Sequence, residues 1–280
     1  MRVIHTDEII QNISEMCIEA NMYLPQDVEQ AMQHAGENER SPLGRQILSQ
    51  LGENMQIAAA EQIPVCQDTG MAVVFLNIGQ DLHIEGMALE DAVNEGIRRG
   101  YRQGYLRKSV VKDPLLRENT KDNTPGILHY QIVPGSQLEL TVAPKGFGSE
   151  NMSRIYMLKP ADGIEGVKEA VLDAVEKAGP NACPPMVIGV GIGGDFEKSA
   201  VMAKQALTRD IGQHSDIPYV RELETELLDK INALGIGPGG LGGTVTALGV
   251  NILTYPTHIA GLPVAVNICC HVARHVKRVL

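Results

Sequence analysis

The chain has 280 residues, enough for one large domain or two small ones, and its 44% hydrophobic content is ordinary for a protein that buries a core. With no Trp and three Phe, that core has to be built from Val, Ile, Leu, Ala and Met. A formal charge of −10 argues against a general nucleic-acid or anionic-membrane binder, because both need a cationic surface. An acidic chain of this kind holds an anion only through a locally cationic pocket. The start, MRVIHTDEIIQNISEM, lacks a basic stretch followed by an apolar one, so no signal peptide is expected. No uncharged apolar run approaches ~18 residues, and no transmembrane helix is expected. Five cysteines at wide spacing do not make a secreted disulfide framework, so the expected setting is cytoplasmic, with reduced thiols.

In chain order, Thr6 or Asp7 can cap a helix running toward Ala20, with Ile9, Ile10, Ile13, Met16 and Cys17 on one apolar stripe. That stripe makes Cys17 a core residue rather than a ligand. A second helix is expected from near Pro25 and a third from about Gly44 to Ala60, giving a helical N-terminal layer over residues 1–60. Residues 61–280 read as an α/β core. MAVVFLNIG is a β-rich run and LEDAVNEGIRRGYRQG an amphipathic helix. ILHYQIV and QLELTVA are joined by Pro134-Gly135, the pair a type II turn prefers, which predicts a β-hairpin. A helix over Gly163–Ala178 precedes a buried strand, MVIGVGIG, and helices follow near 196–212 and 218–234. After the Gly-rich IGPGGLGGT, two strand-like runs, TVTALGVNIL and LPVAVNICC, lead into a basic C-terminal helix. There is no internal repeat and no long polar linker. The expectation is one α/β domain over residues 1–280, a mixed β-sheet flanked by helices with the helical layer at its N-terminus.

The chemistry-bearing residues gather where strand-like runs end in turns. Cys66 stands in PVCQDTG, where Gln67, Asp68 and Thr69 set an amide, a carboxylate and a hydroxyl beside the thiol. Such a mixture suits orienting a substrate and moving a proton; the alternative is a turn whose Asp68 and Thr69 bond their own backbone. Cys183 is followed by Pro184-Pro185, which would hold its thiol on a stiff corner. Cys269 and Cys270 end a strand whose successive side chains point to opposite faces. Only one of the two can face a common site, and the period does not say which. No Cys-x-x-Cys pair is present, so rubredoxin-like, zinc-ribbon and bacterial ferredoxin patterns are absent. IGVGIGG before a helix lacks the GxGxxG spacing of a dinucleotide site.

Taken together, VCQDTGMAVVFL, GYLRKSVVKDPLLRENTKDNTPGILHY, APKGFGSENMS, NACPPMVIGVGIGGDFEKSA and YPTHIAGLPVAVNICCHVARH resemble the α subunit of class I fumarate hydratases, from about residue 5 to the end. The sister L(+)-tartrate dehydratases share this pattern. The resemblance implies a [4Fe–4S] cluster held by Cys66, Cys183 and Cys270, with Cys269 a bystander. It implies a lyase that hydrates fumarate to L-malate in the tricarboxylic acid cycle, with an open cluster iron as Lewis acid. Arg107 matches the substrate-binding arginine, Gln67 and Asp68 the groups beside the substrate, and His258 an active-site histidine. Asp68 is the candidate acid or base of this chain, while the family places further groups in its β region. Single-chain relatives carry three glycines in the loop that reads Lys145-Gly146-Phe147-Gly148-Ser149 here; Phe147 replaces the middle one, and Gly148 matches the substrate-contacting position. Because single-chain enzymes continue into a further domain, the resemblance implies a β subunit as partner, in an α2β2 assembly.

Two other readings stay open on the residues alone. One is a non-catalytic iron–sulfur subunit with four protein ligands; the other is a zinc-binding interaction protein that adds His258, His271 or His275 to the cysteines. In the basic C-terminal stretch, His271, Arg274, His275, Lys277 and Arg278 either face the site or a partner, or form a solvated helix face.

Overall fold

A computed structural model describes residues 2–280. The backbone gathers into two compact units: one takes in the residues up to Pro25, Met55–Gly146 and Arg274–Leu280, the other Gln26–Asn54 and Phe147–Ala273. The expected N-terminal helices are present as α1 (Thr6–Met22), α2 (Gln26–Asn38) and α3 (Pro42–Glu61). A short strand, β1 (Arg2–His5), precedes them.

In the first unit, β2 (Met71–Gly79), β3 (Leu82–Glu85), α4 (Leu89–Gln103), β4 (Ile127–Val133) and β5 (Leu138–Lys145) follow in order. The helix α1 starts where the His5 imidazole accepts a hydrogen bond from the Asp7 N–H at 3.2 Å. Asp7 and Glu8 in its first turn oppose the helix dipole. Its stripe of Ile9, Ile13, Met16 and Cys17 packs with Val93, Ile97 and Tyr101 of α4 over the apolar faces of β2 and β5. Cys17 is therefore a core residue, as its stripe required, and burial pushes its thiol up to about 12.

The predicted hairpin does not form. The sheet order places β2 between β4 and β5, parallel to the former and antiparallel to the latter. The Pro134-Gly135 turn instead passes over the end of β2, where Gly79 N–H donates to Gln137 O at 2.8 Å and Gln80 N–H to Val133 O at 2.8 Å. The cause is burial. β2 is apolar along most of its length and needs both backbone edges paired, while β4 is largely exposed and suits the sheet edge. The predicted C-terminal helix is also absent. Val276–Val279 is a strand, β10, antiparallel to β5 on the sheet's other edge. Its Val-Lys-Arg-Val alternation sets Val276 against the core and lets Arg278 reach Glu15 and Glu19 of α1 at 2.6 and 2.7 Å. β1 and β3 form a separate parallel pair that no sequence signal marked.

In the second unit, α5 (Phe147–Glu150), β6 (Arg154–Leu158), α6 (Gly163–Ala178), β7 (Met186–Gly193), α7 (Phe196–Ala206), α8 (Pro218–Ala233), β8 (Ala247–Tyr255) and β9 (Leu262–Cys269) follow. The sheet order is β6-β9-β7-β8, with β7 parallel to β8 and antiparallel to β9. Both four-stranded sheets are thus mixed and carry helices, so the α/β reading holds. Ile188 and Val190 of β7 sit in a core with Val171 and Val175 of α6 and Leu227 and Ile231 of α8. α7 ends at Ala206, short of the expected 212, where Arg209 turns inward to pair with the buried Glu224 and to donate to Ile252 O at 3.2 Å.

The glycines of MVIGVGIG serve packing. A Cβ on Gly189 would lie 2.1 Å from Ala203 O, and one on Gly191 2.1 Å from Ser199 O, so α7 rests directly on the β7 backbone. Gly191→Val should therefore destabilise the chain by about 3 kcal/mol, measured by urea unfolding, since the helix has to move to admit the side chain. A loss below about 1 kcal/mol would mean that α7 shifts freely.

Candidate active site

Candidate residues of the first unit gather on the turn between α3 and β2. Cys66 is half-buried, and its thiol donates to Gln67 Oε1 at 3.7 Å. Asp68 Oδ1 accepts from Gly70 N–H at 3.0 Å, a bond to the backbone of its own turn. Thr69 behaves differently: its buried hydroxyl donates to Arg107 O at 3.1 Å and fastens the following loop to the turn. Gly70 has φ +77° and sits where a Cβ would be 2.7 Å from Lys145 N, so only glycine fits there.

Three further side chains grip this turn through its carbonyls. The buried Tyr101 hydroxyl donates to Thr69 O at 2.7 Å and Gly70 O at 3.0 Å. Burial raises its phenol well above the ordinary value. Asn123 Nδ2 donates to Gly70 O at 3.1 Å, and Arg274 donates through Nη2 to Asp68 O and through Nε to Pro144 O at 3.3 Å. Arg274 is 2% exposed, and its Nη1 is buried without a hydrogen-bond partner. This web fixes the backbone that carries Gln67 and Asp68. Gly146 stands beside the carboxylate, since a Cβ there would be 3.1 Å from Asp68 Oδ2. Arg107 is exposed, with its carbonyl tied down as described.

The second unit holds Cys183, Cys270, His258 and Gly148. Cys183 follows the turn Gly179–Ala182, is exposed, and has a left-handed backbone at φ 51°. Its carbonyl lies 3.0 Å from His271 Nδ1 and accepts the His271 N–H at 3.5 Å, which brings Cys183 and the Cys270-His271 segment together. Burial pushes the His271 imidazole below its ordinary value, against the pull of the Cys183 carbonyl. Cys269 ends β9, buried and in register with Val187, while Cys270 lies one residue beyond, half-buried.

Gly148 lies within the single turn of α5, with open space where a Cβ would project. This turn is anchored by Asn267 of β9, whose amide donates to Glu150 Oε2 at 3.0 Å and Ser153 Oγ at 2.7 Å. His258 is exposed in the β8–β9 loop, and its Nδ1 accepts from Ala260 N–H at 3.2 Å. Sequence reasoning missed Tyr101 and Asn123 and placed Arg274 on a helix. Tyr101 was hidden because it reads as one more apolar residue of α4.

Among the described residues no group of three or more His, Cys, Asp or Glu side chains is gathered to hold a metal ion. Cys66 belongs to the first unit, and Cys183 and Cys270 to the second. The donor chemistry fits an iron–sulfur cluster: none of the three is in a disulfide, none is sealed in a core, and thiolates are the usual ligands of such clusters. No helix among the described residues is long and apolar enough to cross a membrane.

Comparison with known proteins extends along almost the whole chain. The family model described as fumarate hydratase (Fumerase) matches residues 10–279. A Methanocaldococcus jannaschii protein named "Putative L(+)-tartrate dehydratase subunit alpha" is 43% identical over 274 residues, 95% of this chain and 96% of that one. The L(+)-tartrate dehydratase subunit alpha of Escherichia coli strain UTI89 is 32% identical over 267 residues, covering 94% and 86% of the two chains. That of strain K12 is 31% identical over 266 residues, with the same coverage.

Proposed function

The chain belongs to the fumarate hydratase (Fumerase) family of hydro-lyases, and on that premise we propose that it is the α subunit of a two-subunit [4Fe–4S] fumarate hydratase. Its substrate would be a C4 dicarboxylate, its reaction the reversible hydration of fumarate to L-malate, and its partner a β subunit in an α2β2 assembly. The observation that carries the reading is the Cys66–Gly70 turn, whose backbone is fixed by Tyr101, Asn123 and Arg274. A preorganised turn that offers a thiol, an amide and a carboxylate suits a site in which charge develops on bound carboxylates.

Cys66, Cys183 and Cys270 would hold the cluster, which when bound supplies a Lewis-acidic iron that lacks a thiolate ligand. The residues of this chain do the rest of the work assigned to it. Arg107 grips a substrate carboxylate through two parallel N–H bonds. Gln67 and the backbone at Gly148 orient the substrate, Asp68 takes or gives the proton next to the carboxylate, and His258 hydrogen-bonds the substrate. A second reading, dehydration of L(+)-tartrate to oxaloacetate by the same groups, draws support from the names that the similar chains bear.

Both readings are tested in one anaerobic experiment. The chain is co-expressed with its β partner, reconstituted with iron and sulfide, and given L-malate or L-tartrate. Fumarate absorbance that rises with L-malate, and only with both chains present, is the expected result. Turnover of L-tartrate alone would transfer the assignment to the second reading, and inactivity toward both with an intact cluster would sink the catalytic proposal.

A further inference from the structure

The loop between α4 and β4 contains a rigid projection that nothing in the candidate site uses. Residues Val110–Thr120 fold back on themselves: Thr120 N–H donates to Val110 O at 2.9 Å and Lys112 N–H to Glu118 O at 2.7 Å, with a bridge between Val111 and Asn119. The tip is closed by Asp113, whose Oδ1 accepts the N–H groups of Leu115 at 2.8 Å and Leu116 at 2.7 Å, while Arg117 N–H returns to Asp113 O at 3.0 Å. At this tip Leu115 is 88% exposed and Leu116 84%. Isolated surface leucines are ordinary, but two adjacent ones held nearly clear of the protein on an ordered finger are not.

The charge around the finger is equally uneven. Residues 98–121 hold eight of the chain's 24 Lys and Arg and two of its 34 Asp and Glu, so this stretch carries +6 and the remainder −16. Arg98 and Arg99 are paired with Glu95, and Lys112 with Glu118. Lys108, Arg117 and Lys121 make no ion pair among the described residues. With Arg117 beside the apolar tip and Lys108 and Lys121 at its base, all outside any ion pair, the finger calls for an apolar socket with an acidic rim.

We propose that this finger is the docking element for the second subunit, inserting Leu115 and Leu116 into an apolar socket with an acidic rim on that chain. The proposal rests on the two-subunit reading, in which chains similar to this one are designated α. We place the second subunit, rather than a second copy of this chain, on the finger because the finger springs from the loop that carries Arg107. The base of the finger also adjoins the candidate site: Asn119 Nδ2 donates to Lys108 O at 2.9 Å, and the neighbouring Arg107 carbonyl is tied to Thr69. A partner seated here would bear on the loop that carries Arg107.

The test is the affinity of the purified α and β chains, measured by calorimetry and light scattering, for wild type and for the double variant Leu115→Asp, Leu116→Asp. The Leu115 and Leu116 side chains make none of the hydrogen bonds that hold the finger, so the variant should keep the wild-type circular dichroism and melting temperature. The expected result is a Kd raised by about a hundredfold or more, with the double Leu→Met variant binding like wild type. A Kd within about threefold of wild type would overturn the proposal. So would loss of α self-association with β binding intact, which would assign the finger to a second copy, or loss of binding to anionic vesicles alone. Failure of the wild-type chains to associate at all would refute the two-subunit reading itself, and the finger proposal with it.

Discussion

Cys270→Ser should abolish the iron–sulfur absorbance of the reconstituted chain, whereas Cys269→Ser should retain it. The two neighbours differ in surroundings more than in chemistry. Cys269 is the last residue of β9, in register with Val187 and 5% exposed, and its sulfur lies 4.0 Å from Val272 O. Cys270 is past the last paired residue and half-buried, next to the His271 that bonds the Cys183 carbonyl. A ligand has to reach an iron that the protein does not enclose as core, and a thiolate buried in apolar surroundings is disfavoured. Serine at 270 offers a hydroxyl in place of the soft thiolate that such clusters select. Serine at 269 instead puts a hydroxyl into a packed interior, with an expected stability loss of about 1–2 kcal/mol and unchanged iron content. Iron and sulfide per chain, read with the visible spectrum, separate the two roles, and the opposite pattern would move the ligand to Cys269.

Much of the fold was legible because local patterns and tertiary burial agree. MAVVFLNIG, the helix over 163–178 and MVIGVGIG match β2, α6 and β7 to the residue. Where they failed, the deciding information was nonlocal. The Pro134-Gly135 turn is a real turn, but which strand lies beside β4 depends on the need of β2 for two partners. The basic C-terminus carries helix-compatible charges, but β5 offers it an edge and α1 offers Arg278 two carboxylates. The site divides in the same way. Cysteines, Asp68 and Gly148 belong to recognisable blocks, whereas Tyr101 and Asn123 act through hydrogen bonds to carbonyls thirty or more residues away in sequence. A carbonyl acceptor has no side-chain signature, so this supporting web is invisible until the backbone is traced.

Arg274 is where that web is most exposed to test. A guanidinium 2% exposed has been taken out of water, yet its observed acceptors are two backbone carbonyls, Asp68 O and Pro144 O. Hydrogen bonds to a charged donor contribute about 1.5–3 kcal/mol each, and removing the donor deprives both carbonyls of it. Arg274→Ala is accordingly expected to cost about 3–4 kcal/mol in urea unfolding. A purely structural residue would stop there: whatever fraction of the enzyme remained folded would turn over normally. Arg274 holds the carbonyl of Asp68 itself, so its loss frees the backbone under the proposed acid or base. A displacement of order 1 Å at a reacting group is enough to cost about 10²-fold in rate. The folded variant should therefore show kcat reduced by about that factor, with KM changed less than about threefold because Arg107, the proposed carboxylate-binding residue, is left in place. Arg274→Lys keeps the charge but cannot span two carbonyls with a planar fork, and should fall between the two in both stability and kcat. Wild-type kcat in the folded Arg274→Ala enzyme would reduce Arg274 to a structural tie and would remove the Asp68 turn from the catalytic argument.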